Sequence, residues 1–263
     1  STTLTAFYTG STTSSYFVDV YNANPATDTS AEVQFELAYG HKAGSGSGAF
    51  NTLVPGISPS RVTYGQYRTL VTGDENTNFN FGTGNTDADA VYVINIDRAR
   101  YKESLFPGSL NLTLSGSDGT ITLTDNSKDV TVNTFIGSSR VYQLISGSSG
   151  TCGDLANSGY VSGKGSYGLV FPELGTILLN PDALNEFAGV TAVRTANSTN
   201  GVNNTTLFDA INNGASFELN SQETISSDYI FTRARNSEFN YTQNPTFISG
   251  STGEVIYPYF INN

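Results

Sequence analysis

Ala90-Val91-Tyr92-Val93-Ile94-Asn95-Ile96 opens the stretch AVYVINIDRARYKESLFPGSLNLTLSGSDGTITLT (90–124), and its reading decides the fold. The apolar run is long enough for one strand and too short for a membrane-spanning helix. From Asp97 to Lys102 the residues alternate, which predicts a strand with Arg98, Arg100 and Lys102 on one face and Asp97, Ala99 and Tyr101 on the other. Beyond Pro107-Gly108, Leu110, Leu112 and Leu114 recur at period two. The turn 115–119 and the repeat at Ile121 and Leu123 then make a β-hairpin.

Working outward, Tyr16–Tyr21 reads as a strand, and Glu32–Tyr39 alternates cleanly, with Val33, Phe35, Leu37 and Tyr39 inward and Glu32, Gln34 and Glu36 outward. Residues 1–15 are polar and read as an N-terminal arm. The glycine-serine run that begins at Gly40 reads as a loop. Residues 51–85, with Pro55, Pro59 and many Gly, Asn and Thr, read as long loops and an extended arm. Val130–Ile136 and Arg140–Ile145 are further expected strands. Residues 146–166 are the most glycine-rich and read as a linker or an insertion between a β domain at 16–145 and a second β region at 167–263, the two also being readable as one continuous domain. Tyr167–Leu179 begins extended and runs into a helix signature at 180–189: Asn180 caps, Pro181 opens, Asp182 faces the positive end and Gly189 closes. A second short helix is expected over Thr205–Asn213, after a polar stretch at 191–204. Strands return at 216–219, 228–235, 238–243, 246–249 and 254–260. The fold class is therefore all-β, mostly antiparallel sandwich or barrel-like sheets with two short helices and long Gly/Ser/Asn-rich loops.

Composition bounds the function. At 263 residues about three quarters of the unfolded surface can be buried, so a core needs no disulfide staples. Charged residues make up 13% against about 25% in ordinary domains, and Ser, Thr, Asn and Gly replace them at the surface. The 15 Tyr and 16 Phe supply the bulk of the core, since Trp and Met are absent. A formal net charge of −11 argues against nucleic acid as a partner, because phosphate binding needs a basic face. No apolar run approaches a membrane span and no signal-peptide pattern stands at the start, so no membrane partner is expected; Ser1 is small enough to follow a removed initiator Met.

Chemistry is sparse. The single histidine, His41, sits beside the glycine-serine run with no G-x-S-x-G elbow in the chain, and reads as an exposed loop residue rather than a general base. Cys152 has no second cysteine and reads as a plain thiol. Asp74-Glu75-Asn76, Asp87-x-Asp89 and Asp125-x3-Asp129 have calcium-ligand chemistry but no EF-hand spacing, and read as solvated turns. Gly163-Lys164-Gly165-Ser166 lacks phosphate-loop spacing. Five Asn-X-Ser/Thr sequons (Asn111, Asn197, Asn203, Asn204, Asn240) are what chance gives in so Asn-, Ser- and Thr-rich a chain. No catalytic residue, metal ligand, cofactor or enzyme activity is expected. Arg98, Arg100 and Lys102, three of twelve basic residues within five positions, are the first interface candidates, with Arg233 and Arg235 repeating the spacing. A same-face row gives docking orientation and rate; its bland counterpart is internal pairing with carboxylates. Tyr16, Tyr21, Tyr39, Tyr64, Tyr67, Tyr257 and Tyr259 are candidate interface anchors.

Three stretches, YFVDVYNANPATDTSAEVQFELAYGHKAGSGSG (16–48), RARYKESLFPGSLNLTLSG (98–116) and FTRARNSEFNYTQNPTFISGSTGEVIYPYFINN (231–263), cover about a third of the chain. They resemble a structural protein of the T4-like tailed phages that infect cyanobacteria. The resemblance implies a non-enzymatic virion component of the tail or baseplate, made in the host cytoplasm. Its partners would be other virion structural proteins and further copies of itself, in a homo-oligomer or symmetric assembly. Related chains continue past residues 257–263 with another strand-rich segment. The alternative function is a carbohydrate-binding or receptor-binding adhesin on the virion surface, with a glycan as partner.

Overall fold

The computed structural model describes residues 2–10, 16–46, 58–82, 87–130, 134–136, 139–153, 159–195, 201–233, 248–249 and 254–255. They fall into two units, Ser1–Glu223 and Thr224–Asn263.

The apolar run forms strand β4 (Ala90–Ile96), with the boundaries its sequence predicts. Ala90, Tyr92, Ile94 and Ile96 point into one core, and Val91 and Val93 into a second core on the opposite face. A strand apolar on both faces belongs inside a covered sheet, and β4 lies between β3 (Val33–His41) and β12 (Thr176–Leu179). The remaining strands of the first unit are β1 (Thr2–Leu4), β2 (Phe17–Tyr21), β5 (Ser104–Leu105), β6 (Asn111–Ser115), β7 (Thr120–Asp125), β8 (Thr134–Ile136), β9 (Ser139–Ser148), β10 (Thr151–Cys152), β11 (Gly168–Phe171), β13 (Phe217–Leu219) and β14 (Ser221–Gln222). One twelve-stranded sheet runs β1-β13-β6-β7-β9-β11-β12-β4-β3-β2, with β8 and β10 paired to β9, and every pairing is antiparallel. The all-β class holds. The predicted hairpin is β6–β7, in the register Leu112 opposite Leu123 and Leu114 opposite Ile121. Residues 146–166 end β9, make the short return β10 and lead into β11, which pairs with β9 in the same sheet.

Among the described residues three α-helices cover the sheet, where two were expected. α2 (Pro181–Ala188) is the predicted one: Asn180 Oδ1 accepts from the Asp182 N–H at 3.1 Å, and Gly189 takes the left-handed conformation. α3 (Val202–Gly214) starts three residues earlier than predicted and packs Leu207, Ala210 and Ile211 into the core shared with Val18, Val20, Leu112 and Leu114. Its C-terminal end lies so close to β6 that a Cβ on Gly214 would stand 2.0 Å from the Thr113 carbonyl oxygen. The third helix, α1 (Pro59–Thr72), replaces part of the expected 51–85 loop. Thr, Val, Tyr and Gly65 are poor helix formers, which hides it. Its ends carry the usual asymmetry, with Pro59 in the first turn and left-handed Gly73 after the last, and Tyr64, Tyr67 and Val71 form one buried face. Gly40 of β3 makes room for this helix: a Cβ there would meet the Tyr64 backbone nitrogen at 2.8 Å.

The N-terminal arm is a working part of the sheet over its described residues. β1 pairs with β13 at one edge, and Tyr8 exchanges backbone hydrogen bonds with Tyr21 of β2 at the other, 2.8 Å and 3.3 Å. Phe7 is buried between them and meets Phe35 edge-on at 6.2 Å, and Phe35 in turn meets Phe217 at 5.1 Å. Residues 11–15 lie outside the described residues.

Two other strand expectations are corrected. Asp97–Lys102 is not a strand: Asp97 Oδ1 accepts from the Ala99 N–H at 2.7 Å and turns the chain into a 3-10 helix over Arg98–Arg100. In the second unit, residues 228–233 carry no secondary structure, with Arg235 outside the described residues; β15 (Ile248–Ser249) pairs antiparallel with β16 (Glu254–Val255). Residues 238–243 lie outside the described residues.

Truncating Phe35 to alanine removes the middle ring of the edge-joining stack, and a loss of about 3–5 kcal/mol is expected. The same truncation at Phe135, a half-exposed side chain of β8, should stay within about 0.5 kcal/mol. Urea unfolding followed by circular dichroism checks the contrast, and equal losses would refute the role given to the stack.

Candidate docking surface

The seam where the sheet edges meet leaves a pocket. Leu4 of β1, Phe35 of β3, Ile96 at the end of β4, Leu105 of β5, and Phe217 and Leu219 of β13 give it an apolar lining. Gln34, Arg100, Tyr101, Asn220 and Ser221 add polar groups, and the cavity measures about 70 Å³. Gln34 was expected to face outward. It is buried instead, its Nε2 donating to the Glu32 carbonyl at 2.9 Å. The Asn220 backbone is fixed at both ends, its N–H donating to Ser109 Oγ at 3.0 Å and its carbonyl accepting from the Phe106 N–H at 2.8 Å. Its side-chain Oδ1 is buried without a hydrogen-bond partner.

The basic triplet does not form one face. Arg98 is used locally: Nη1 donates to the Tyr101 carbonyl at 2.7 Å, and the guanidinium lies 4.5 Å from the Tyr101 ring centroid. Arg100 lines the pocket and pairs with Glu32. Lys102 pairs with Glu223 at 2.8 Å. Internal pairing with distant carboxylates is therefore what Arg100 and Lys102 do in this structure. Burial pushes the Tyr101 phenol up, against the opposing pull of Arg98.

Among the tyrosines proposed as anchors, Tyr39, Tyr64 and Tyr67 are buried, Tyr16 and Tyr21 are half-buried, and Tyr257 and Tyr259 lie outside the described residues. The sequence reading missed a different set. In the second unit, Ile225, Tyr229, Ile230 and Phe231 are 78%, 81%, 85% and 94% exposed, and the described residues 224–233 of this arm carry no secondary structure. The signal was present as the apolar run Tyr229-Ile230-Phe231, but a short apolar run reads equally as a buried strand.

The remaining candidates resolve locally. His41 is not an exposed loop residue: it closes β3, is 8% exposed, and its Nδ1 accepts from the Ala43 N–H at 3.1 Å. Burial lowers its pKa, the Arg194 cation lowers it further, and Asp89 opposes both. Asp125 is buried and accepts the Gly108 N–H at 2.9 Å, and Asp129 accepts the Cys152 N–H at 2.8 Å. Asp74 caps its own turn, and Asp87 takes the amides of Asn78 and Asn80. Among the described residues no three His, Cys, Asp or Glu side chains converge as a metal site. A polar groove opens beside His41, between α1, which contributes Arg61 and Arg68, and Lys42, Asn76, Asn78 and Asp89.

No family model matches the chain, and neither the curated proteins nor the solved structures contain a match. No helix among the described residues is long and apolar enough to cross a membrane.

Two measurements follow from these environments. Arg100→Ala and Lys102→Ala each remove one partly exposed ion pair, and each should cost less than about 1 kcal/mol in urea unfolding; a loss well above that would mean the pairs anchor the fold. His41 has a folded pKa below its unfolded one, so the unfolded chain binds the extra proton and stability falls as pH drops through about 6.5. His41→Gln should flatten that part of the stability profile between pH 7 and 5, while an unchanged slope would assign it to carboxylates.

Proposed function

We propose that this chain is a structural component of a virion, in a phage tail or baseplate, that acts through contacts between subunits rather than through a reaction. The exposed apolar arm carries the proposal. Each large apolar side chain left in water forgoes roughly 1.5–3 kcal/mol of burial, and four within seven residues are the composition of a contact surface. The resemblance of three long stretches to a cyanophage structural protein supports the virion placement. The partners on this reading are other virion structural proteins and further copies of the chain.

The test is incorporation into particles. Antibody-gold labelling of purified virions should place the chain at the distal tail. Ile230→Asp with Phe231→Asp should reduce incorporation roughly tenfold or more, the effect of losing an interface anchor. Label on the head or fibres, or full incorporation of the variant, would overturn the tail assignment or the arm's role respectively.

A saccharide-binding module is the second reading, favoured by the groove beside His41. Its Arg61, Arg68, Asn78 and Asp89 offer hydrogen-bond donors and acceptors suited to hydroxyl and carboxylate groups. Binding of the purified chain to host surface polysaccharide, lost in Arg61→Ala, would support it; no binding by the unaltered chain would remove it.

A further inference from the structure

We propose that the groove beside His41 binds an acidic polysaccharide, with Arg61 and Arg68 of α1 gripping two acidic groups of one sugar chain across the bare helix backbone at Gly65. The inference rests on the saccharide reading and names its ligand class.

Gly65 has no reason within the fold to be glycine. It sits inside α1 and lines the groove, and glycine in a helix interior is destabilising relative to alanine. Gly40 and Gly214 are explained by crowding, since a Cβ on either would strike backbone atoms. At Gly65 nothing lies within 4 Å of the place a Cβ would take. The missing side chain leaves a strip of bare helix on the groove wall, and close approach of a ligand to backbone is a use that glycine alone serves.

Charge flanks that strip. Arg61, Gly65 and Arg68 are spaced four and three apart, so they share one helix face. The two arginines stand two turns apart, about 10.5 Å along the axis, with the glycine between them. Among the described residues the four ion pairs use Arg100, Lys102, Arg140 and Arg194, and neither groove arginine is in one. Arg61 is exposed. Arg68 is half-buried, its guanidinium 5.7 Å from the Tyr64 ring centroid, and the Tyr64 O–H is pinned to the Ala88 carbonyl at 2.8 Å. Nε of Arg68 is enclosed, so its Nη edge is what a ligand meets. Lys42 adds a third cation, shared with the nearby Asp87 carboxylate. Lys42, Arg61 and Arg68 against Glu75 and Asp89 leave the lining at +1 with His41 neutral, in a chain of −11.

Size and the mixed lining select the ligand. Guanidinium forks match the paired oxygens of a carboxylate or a sulfate ester. The groove measures about 680 Å³, the scale of a site for an extended ligand rather than a single anion. Glu75 and Asp89 are acceptors and call for donors. An acidic peptide offers them only further carboxylates from its side chains, whereas a sugar chain carries hydroxyls between its acidic groups. A polymer with an acidic group on alternate sugars presents both, at a spacing that two arginines two turns apart can span.

Titration calorimetry of the full-length chain with hyaluronan oligosaccharides, which carry a carboxylate on alternate sugars, tests this. They should bind at least about tenfold more tightly than neutral dextran oligosaccharides, and Arg61→Gln and Arg68→Gln should each weaken them roughly tenfold or more, the effect of losing one charge-assisted hydrogen bond. Gly65→Leu should weaken binding to a similar degree while its urea midpoint stays at or above the parent's, because the site is open and leucine is the better helix former. Sulfated dextran oligosaccharides tell the two acidic groups apart: tighter binding than hyaluronan assigns a sulfate ester, weaker binding a carboxylate, and either order supports the site. Binding indifferent to Arg61, Arg68 and Gly65 would overturn the groove, and a polyglutamate peptide that binds as tightly would overturn the saccharide. If neither acidic oligosaccharide outbinds neutral dextran while host surface polysaccharide still binds, the saccharide reading stands and the acidic class falls. If that polysaccharide also fails to bind, both fall.

Discussion

The constraint on which the structure depends is that β4 has no polar side. Tyr92 and Ile94 on one face and Val91 and Val93 on the other all need cover. One layer cannot provide it, so helices are recruited to both sides of a sheet that the composition otherwise favours as plain β. α1 closes one face through Tyr64, Tyr67 and Val71; α2 and α3 close the other. Gly40 and Gly214, two of the glycines with crowded Cβ positions, lie where α1 and α3 press against the sheet, and they mark how close that cover has to come.

A sheet of this length curls, and its edges become the next problem. Open edges present unpaired N–H and C=O groups, and here one short N-terminal segment satisfies both, through β13 and through Tyr21. The stack of Phe7, Phe35 and Phe217 supplies the apolar contact that backbone bonds alone lack. Such a seam is joined by a strand of three residues, and the ends of neighbouring elements do not fill it. The pocket with its unpartnered Asn220 oxygen is what remains.

Much of this was legible in the sequence because local rules and tertiary demands agree. The seven-residue β4, the β6–β7 hairpin and α2 with its Asn180 cap were readable from periodicity and turn chemistry. α1 was not, since its helix-poor composition outweighed the Pro59 and Gly73 boundary signals. Arg98 and Arg100 alternate like strand residues, but a single hydrogen bond from the Ala99 N–H to the Asp97 carboxylate turns the backbone away, and alternation cannot report that. The pocket was invisible for a different reason. Its lining comes from positions 4, 34–35, 96, 100–101, 105, 217 and 219–221, which only the folded sheet brings together. The arm's apolar residues were noticed and given to a strand, because composition records that a side chain is apolar and not whether anything covers it.

The pairing of Thr2–Leu4 with Phe217–Leu219 also sets a timetable for the chain's birth on the ribosome. Its partners are separated by more than two hundred residues, so β1 stays single from its synthesis until β13 emerges. Loop closure over that span grows slowly with length, but it cannot begin before the far strand exists. Until then β6 lacks its β13 neighbour and the Phe35 ring lacks its Phe217 contact, leaving apolar surface and a strand edge exposed together. Protection during synthesis therefore matters most for the interval in which residues 126–216 are being made, when the hairpin exists and its neighbour does not.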